Sequence, residues 1–547
     1  MYLKNTKFYS DTGFDVIKNW LKKNCNSILN ENYFENLSPL TNIQKINESQ
    51  NLTDELLASF DRNKPLPLTF IPNIKPCIEL LKIENSQLNP NDFQQLYKII
   101  VLSRKIKTKL TKVDFPIWYT CKHNLQSLKS YEKKIEHIFN NNFKIKKDAS
   151  SVFSMLHSSY NELNDKISKS MNNIFNHAKN KNWLEGDQVV LKNGRSVLPL
   201  KTNHKRKIKG IIQDQSSTGK TSFIEPYEII ELNNQLTEIN FKIELEKIKI
   251  LKNLTLMFNK ISNKIQTLYN FLQLLDQHFT IAKFANITNS IKPIVNNTGV
   301  INLVEAINPL FILTDNKAIP LNLTMISEKV LLLSGPNAGG KTIVLKSLGL
   351  FSLMAQCGIF IPGKKINLPI YKNYMSDIGD GQSIENGLST FSAHIKNLAY
   401  ILKNANESSL ILIDELGSGT EPEAGSALSQ SILLALMKKN STVITTTHIS
   451  LLKNWAYKTK GVINGGMVFD LKTFSPTYEL ILGTPSASYT LEISERMGLN
   501  KNIIKQSKSL ISNEKTNLEN ILSKLEKDRL KSKKIVDALI LKKEKLL

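Results

Sequence analysis

Apolar and polar positions divide the chain into zones of different period. Residues 1 to about 120 show helical spacing, cut by the proline-bearing breaks Lys64-Pro65-Leu66-Pro67 and Ile71-Pro72-Asn73. From Ile117 to Glu185 there is neither Pro nor Gly, which predicts long helices rich in Lys and Asn. A β-rich island follows at about 187–225. Val189-Val190-Leu191 reads as a strand, Asn193-Gly194 as a tight hairpin turn, and Val197 to Leu200 and Ile208 to Ile212 continue the sheet pattern. Residues 227–292 again lack Gly and Pro. Their apolar positions (Leu232, Leu236, Ile239, Ile243, Ile250, Leu254, Met257, Ile261, Leu268, Leu272, Leu275) alternate spacings of four and three, with Glu246 and Lys264 breaking the seam. One coiled-coil-like helix is predicted, and its 44 residues would span roughly 66 Å. Such a rod suits a lever, although a static bundle helix carries the same pattern.

Beyond residue 300 the pattern changes to short, wholly apolar runs. Leu331-Leu332-Leu333 and Leu410-Ile411-Leu412-Ile413 predict buried parallel strands, as does Thr442-Val443-Ile444-Thr445-Thr446-Thr447. The expected division is a helical core over 1–130, helical arms around the β island over 131–235, returning helices over 236–300, an α/β domain over 301–500 and a basic helix over 501–547. A chain of 547 residues exceeds what one core supports, in keeping with several domains.

Charge sharpens this picture less than its size suggests. The net charge of +24 fits a nucleic-acid partner, but 66 of the 72 basic residues are Lys and six are Arg, a bias that an AT-rich genome also produces. The local cluster on the β island is more telling: Lys201, Lys205, Arg206, Lys207 and Lys209, with His204 among them, would sit on a hairpin tip and meet phosphates. A solvated turn is the plainer alternative. The four cysteines are far apart, which argues for a reducing compartment and against zinc or a disulfide framework. With no signal region and no apolar span of 18 residues, a cytoplasmic protein without membrane contact is expected.

The chemistry begins at Gly335-Pro336-Asn337-Ala338-Gly339-Gly340-Lys341-Thr342, a G-x-x-x-x-G-K-T loop between a buried strand and a predicted helix from Thr342 to about Gly358. Its glycines turn backbone N–H groups toward phosphate oxygens, Lys341 supplies charge at the β- and γ-phosphates, and Thr342 offers a hydroxyl to Mg²⁺. The helix N-terminus favours the same anion. A nucleoside triphosphatase acting on ATP with Mg²⁺ is expected. Asp414, after the strand Leu410–Ile413, would hold Mg²⁺ directly or through water, and Glu415 would position and polarise the attacking water. His448 ends the next apolar run, where it would meet the γ-phosphate or the water, or serve structure alone. Ser389 and Thr390 open a helix and would bind an anion or merely cap it. No arginine falls between residues 207 and 495, which excludes an arginine finger inside this ATPase core and leaves charge stabilisation to Lys341, Mg²⁺, backbone N–H groups or a second subunit. Thr218-Gly219-Lys220-Thr221 imitates a phosphate loop but has Asp214 where the first glycine belongs, and is rejected as a second site.

Taken in order, Gly335 to Thr342, Leu388-Ser389-Thr390-Phe391-Ser392, Asp414-Glu415-Leu416-Gly417-Ser418-Gly419-Thr420 and Thr446-Thr447-His448 resemble the ATPase of the MutS family. Asp377-Ile378-Gly379-Asp380, Asp214-Gln215-Ser216-Ser217 with Glu225-Pro226, and Asn193-Gly194-Arg195 resemble its type 2 branch, over nearly the full length. The resemblance implies a multidomain α and α/β fold: a helical core with long lever helices, a small β-containing clamp and an ABC-type P-loop ATPase. It implies a homodimer through the ATPase heads, with Ser389 and Thr390 reaching the γ-phosphate bound to the other subunit and Asn337 helping to fix it. It also implies a clamp on branched or duplex DNA, acting in repair and suppression of recombination. Some members of the branch act on stalled, collided ribosomes, so the alternative is a ribosome-associated ATPase that senses or splits them, with the ribosome or its RNA as partner. A bridging protein of the SMC kind would need a longer coiled coil. Two departures stand out. Asn308-Pro309 replaces the usual His-Pro, and the chain ends at Leu547 inside a basic helix without the family's Smr nuclease domain, so endonuclease activity is not expected.

Overall fold

The computed structural model describes residues 2–123, 125–336, 339–379, 390–470, 475–484, 494–495 and 498–510. They form two compact units. The first comprises residues 1–66, 110–120 and 273–547, the second residues 67–109 and 121–272. Among the described residues no helix is long and apolar enough to cross a membrane.

The first unit is built on a six-stranded sheet. Its spatial order is Asn373–Asp377, Ser409–Ile413, Thr442–Thr446, Val330–Ser334, Val462–Asp470 and Ser475–Leu482. The first five strands are parallel, and the last pairs antiparallel at the edge. Three of them, Val330–Ser334, Ser409–Ile413 and Thr442–Thr446, are buried at every position, as strands covered on both faces must be. Side-chain alternation sends Leu331, Leu333, Leu410 and Leu412 to one core and Val330, Leu332, Ile411 and Ile413 to the other. The second core is closed by Leu398, Ile401, Leu433, Leu436 and Leu452 from three helices, Thr390–Asn404, Pro422–Lys438 and Ser450–Lys458.

The helix after the phosphate loop, Lys341–Gln356, packs between this sheet and a second one of four strands ordered Ile294–Asn296, Lys365–Pro369, Ile301–Ala306 and Leu321–Met325. From Val344 to Gln356 every position but Lys346 is buried, as a helix covered on nearly all sides must be. Gly349 lies inside it: a Cβ there would stand 2.6 Å from Thr12 Cγ2 and 2.7 Å from Leu412 Cδ1. The helix of Thr12, Tyr2–Thr12, and the next, Phe14–Asn24, bring Phe8, Phe14, Ile17 and Leu21 into the same core.

The second unit centres on two antiparallel helices, Ser151–Asn180 and Tyr227–Asn259, with Phe153 packed beside Ile243 and Ile250, and Met171, Phe175 and Ala178 in one cluster with Ile229. Between them the chain forms an antiparallel sheet ordered Val190–Lys192, Arg195–Lys201, Thr221–Pro226 and Gly210–Gln215. Asn193 and Gly194, both at positive φ (50° and 76°), make its first turn, the geometry of a type I′ hairpin.

Two predicted elements differ from what forms. The single rod expected over 232–275 is two helices, Tyr227–Asn259 and Ser262–Ile287. Asn259 turns its side-chain amide onto the Leu81 carbonyl, Ile261 N–H bonds back to Phe258 in a tightened turn, and Ser262 and Asn263 follow. Asn and Ser compete with the helix for backbone bonds, so no Gly or Pro is needed for the break. Likewise the stretch 117–185 is interrupted between Ile138 and Ser151, where the Asn140 side chain accepts from the N–H groups of Asn142 and Lys144. Glu246, which interrupts the apolar seam, accepts a hydrogen bond from the capping residue Ser150 at 3.0 Å.

Candidate active site

The phosphate-loop strand Val330–Ser334 lies between Thr442–Thr446 and Val462–Asp470. The connection leaves its carboxyl end at the point where strand order reverses, the usual crevice of such sheets. Gly335 has φ 136° and Gly340 φ 88°, and a Cβ on Gly340 would meet the Tyr478 ring at 2.9 Å. Asn337, Ala338 and Ser389 lie outside the described residues, and of Thr390 only its place at the start of a helix is described. Pro336 accepts from Gly339 N–H at 2.9 Å.

Lys341 is 4% exposed and donates from Nζ to the Gly335 carbonyl at 2.6 Å. Burial lowers its pKa, against the opposing pull of Glu415 and Asp414. Thr342 Oγ1 donates to Asp414 Oδ2 at 2.9 Å. The other carboxylate oxygen, Oδ1, accepts from Thr446 Oγ1 at 2.6 Å, and Thr446 Oγ1 in turn accepts from Glu415 N–H at 2.8 Å. Leu416 N–H adds a bond to the Thr446 carbonyl at 2.9 Å. Glu415 itself sits at φ 51° with its side chain exposed, a backbone state that non-glycine residues hold only under local constraint. Thr446 supplies that constraint. In the sequence it stands only as part of the Thr446-Thr447-His448 motif, with no role of its own.

His448 is exposed, just past the end of Thr442–Thr446. Its preceding neighbour, Thr447, donates to the Leu416 carbonyl at 3.2 Å and accepts from Ile449 N–H at 3.2 Å. The strands carrying Asp377, Asp414 and Thr446 at or just past their ends are adjacent and parallel, and Asp414 N–H donates to the Asp377 carbonyl at 2.9 Å.

A second group lies beside these residues: the sequence motif that contains Asp377 gives it no role, and its partners His394 and Asn397 were missed. Asp377, 5% exposed, accepts at Oδ2 from His394 Nδ1 (2.7 Å) and at Oδ1 from Asn397 Nδ2 (2.9 Å). His394 and Asn397 are one turn apart on Thr390–Asn404, hence on one face. The bond to Asp377 raises the His394 pKa above its ordinary value, with burial opposing and Glu415 adding to the rise.

Next to the phosphate loop is a cavity of about 450 Å³, lined by Asn308, Phe311, Lys317, Gly340, Ser347 and Tyr478 among others. Asn308 donates from Nδ2 to Ser347 Oγ at 2.9 Å, while its Oδ1 caps the short helix Pro309–Leu313 through Leu310 N–H at 3.0 Å.

In the second unit the basic cluster is not on a hairpin tip. Arg195–Lys201 and Gly210–Gln215 both pair with Thr221–Pro226, on its two sides, so the loop after Lys201 crosses that strand's length. Lys201 ends the first strand; Lys205, Arg206, Lys207 and Lys209 lie on the crossover, and Arg206, Lys207 and Lys209 are exposed. The rejected phosphate-loop imitation is the hairpin turn between the last two strands, closed by Gly219 N–H to Ser216 at 2.8 Å. Beneath the sheet, Glu225 is fully buried and accepts from Arg195 Nη1 (2.8 and 3.1 Å), Gln213 Nε2 (2.5 Å) and Asn233 Nδ2 (2.6 Å). Arg195 Nη2 also bonds Asn234. This network ties the sheet to the start of Tyr227–Asn259.

Residues 331–515 match the family model described as MutS domain V. Over 528 residues the chain is 36% identical to the protein named Endonuclease MutS2 of Caldicellulosiruptor bescii, covering 96% of this chain and 67% of that protein. It is 35% identical over 523 residues to that of Alkaliphilus oremlandii, covering 94% and 66%. Against that of Caldanaerobacter subterraneus it is 39% identical over 425 residues, covering 77% and 53%. The chain thus spans about two thirds of the length of the first two relatives.

Proposed function

Because the chain belongs to the MutS2 proteins of the MutS family, we propose that it is a DNA-binding ATPase in which the Gly335–Thr342 loop binds the phosphates of ATP. The observation that carries this reading is the convergence of Lys341, Thr342, Asp414 and Thr446 at one end of the six-stranded sheet, sealed by the Thr342–Asp414 bond. A hydroxyl and a carboxylate side by side form the hard oxygen set that Mg²⁺ prefers. Thr342 and Asp414 would hold that ion, which when bound neutralises charge on the phosphate oxygens. Lys341 gives up its Gly335 contact to a phosphate oxygen. Glu415, its backbone held by Thr446, accepts the proton of the attacking water as the water oxygen bonds to the γ-phosphorus and ADP departs. His448 contacts the γ-phosphate or that water. The 450 Å³ cavity beside Gly340 and Ser347 suits the base in size and lining.

The charge of the transition state is met without an arginine from residues 207–495 of the same chain, and the site is completed by a second copy bringing Ser389 and Thr390, on the ABC-type pattern of two facing heads. The helices of the second unit serve as levers and its four-stranded sheet as a clamp, with Lys201, Lys205, Arg206, Lys207 and Lys209 on DNA phosphates. The substrate class is branched or duplex DNA. The test is ATP turnover by the full chain with and without duplex and branched DNA, beside Glu415→Gln. The variant should retain ATP and lose turnover by at least a hundredfold; turnover equal to the parent refutes the role of Glu415.

A further inference from the structure

Buried Asp377 and half-buried His394 form a pair that the chemistry above does not use. Both carboxylate oxygens of Asp377 are committed, one to His394 and one to Asn397, so the carboxylate is fixed from two sides and holds the imidazole at 2.7 Å. The same histidine lines a small cavity of about 20 Å³ with Asp377, Glu415, Ser418, Leu398 and Ile413. That volume has room for about one water; the wall is mostly apolar, and with both Asp377 oxygens taken the polar groups left facing such a water include His394, Glu415 and Ser418. Thr390–Asn404 is already anchored to the sheet by Leu398 and Ile401 in the apolar core, so a staple for the helix is not what the polar pair adds.

We propose that His394, oriented by Asp377, is a positioning residue for Glu415: through one water in the shared cavity it sets the direction of the Glu415 carboxylate. The proposal rests on reading Glu415 as the group that polarises the attacking water. It puts one side of Glu415 under the control of Thr446, through the backbone, and the other under that of Thr390–Asn404, through the side chain. The strained backbone at Glu415 is then one half of a clamp whose other half is the imidazole.

The experiment is steady-state ATP turnover of the full chain carrying His394→Asn or His394→Gln, with affinity for a non-hydrolysable ATP analogue and the unfolding temperature measured on the same samples. Asn is too short to span Asp377 and the cavity, and should lower kcat about tenfold or more, since small misplacements of a reacting group cost up to a hundredfold. KM and analogue affinity should stay within about twofold. Gln, longer and able to donate to Asp377, should recover part of the rate. Added to Glu415→Gln, His394→Asn should cause no further loss. Parental kcat in a folded His394→Asn protein overturns the proposal, as does a rate loss matched by lower analogue affinity or folded fraction. If the parent chain has no turnover dependent on Glu415, the reading beneath the proposal falls, and the proposal with it.

Discussion

Removing the guanidinium from Glu225 should unfold the second unit's sheet from its helix. Glu225 is fully buried and Arg195, 26% exposed at its side chain, meets both carboxylate oxygens. Two unit charges about 3 Å apart at an effective dielectric near 20 attract by about 5–6 kcal/mol. Deleting one partner of a buried pair costs about 3–5 kcal/mol, because the other is left charged and dry. Arg195→Met keeps the length of the stem and removes only the fork. Against a total domain stability of about 5–15 kcal/mol, that loss is large, and for a unit of this size it corresponds to a fall of roughly 6–20 °C in unfolding temperature. The double variant Arg195→Met/Glu225→Gln should regain most of it, since a neutral amide can still bond Asn233 and Gln213. Urea unfolding, with hydrogen exchange followed over residues 190–236, reads the effect where it should occur. A loss below about 1 kcal/mol in Arg195→Met, or a double variant no more stable than the single, refutes the argument.

Two further outcomes follow from close contacts in the first unit. Gly349→Ala should gain about 1 kcal/mol of helix propensity yet be less stable by about 1–2 kcal/mol overall, because the new methyl strikes Thr12 and Leu412 in a filled core; thermal unfolding checks the sign, and a stabilised variant contradicts the packing. His278 is buried against Thr53 and the Trp118 ring, and burial lowers its pKa to about 4. The folded pKa lies below the unfolded value near 6.5, so the stability it protects is complete above pH 6.5 and is lost as pH falls toward 4. The loss is about 2 kcal/mol at pH 5 and about 3.4 kcal/mol in full. His278→Gln should flatten this acid limb of a pH–stability profile, and an unchanged limb rules the residue out as its source.

Periodicity and turn chemistry were readable in advance wherever a residue's own backbone preference agreed with its setting. Asn193-Gly194 turns as its positive φ values demand, and the apolar runs at 331–333 and 410–413 become buried parallel strands. What was hidden is decided by partners far along the chain. Asn259 ends a helix by bonding Leu81, 178 residues away; no local window contains that carbonyl. The basic cluster follows a strand and precedes another, which reads as a hairpin until Thr221–Pro226 inserts between them. The G-x-x-x-x-G-K-T loop and the acidic pair can be picked out by spacing, but the contacts of Thr446 to Asp414 and of His394 to Asp377 join separate strands and a helix, and no spacing along the chain encodes them.

The arginines carry an argument that total charge does not. Lysine is the basic residue of this chain almost everywhere, so a position holding Arg is one where a point charge on a flexible stem and a planar fork differ. Three of the four arginines among the described residues satisfy that test. Arg104 grips Glu132 with Nε and Nη2 at 2.9 and 2.8 Å, Arg195 grips buried Glu225, and Arg62 pairs with Asp114 while bonding its carbonyl at 3.0 Å. The fourth, Arg206, is exposed on the crossover loop among Lys205, Lys207 and Lys209. A loop serving only solubility gains nothing from a fork over a fifth lysine. A phosphate, with two oxygens to offer, does distinguish them, so if the proposed clamp grips DNA with this loop, Arg206 rather than its more numerous neighbours is the residue suited to a two-point phosphate contact.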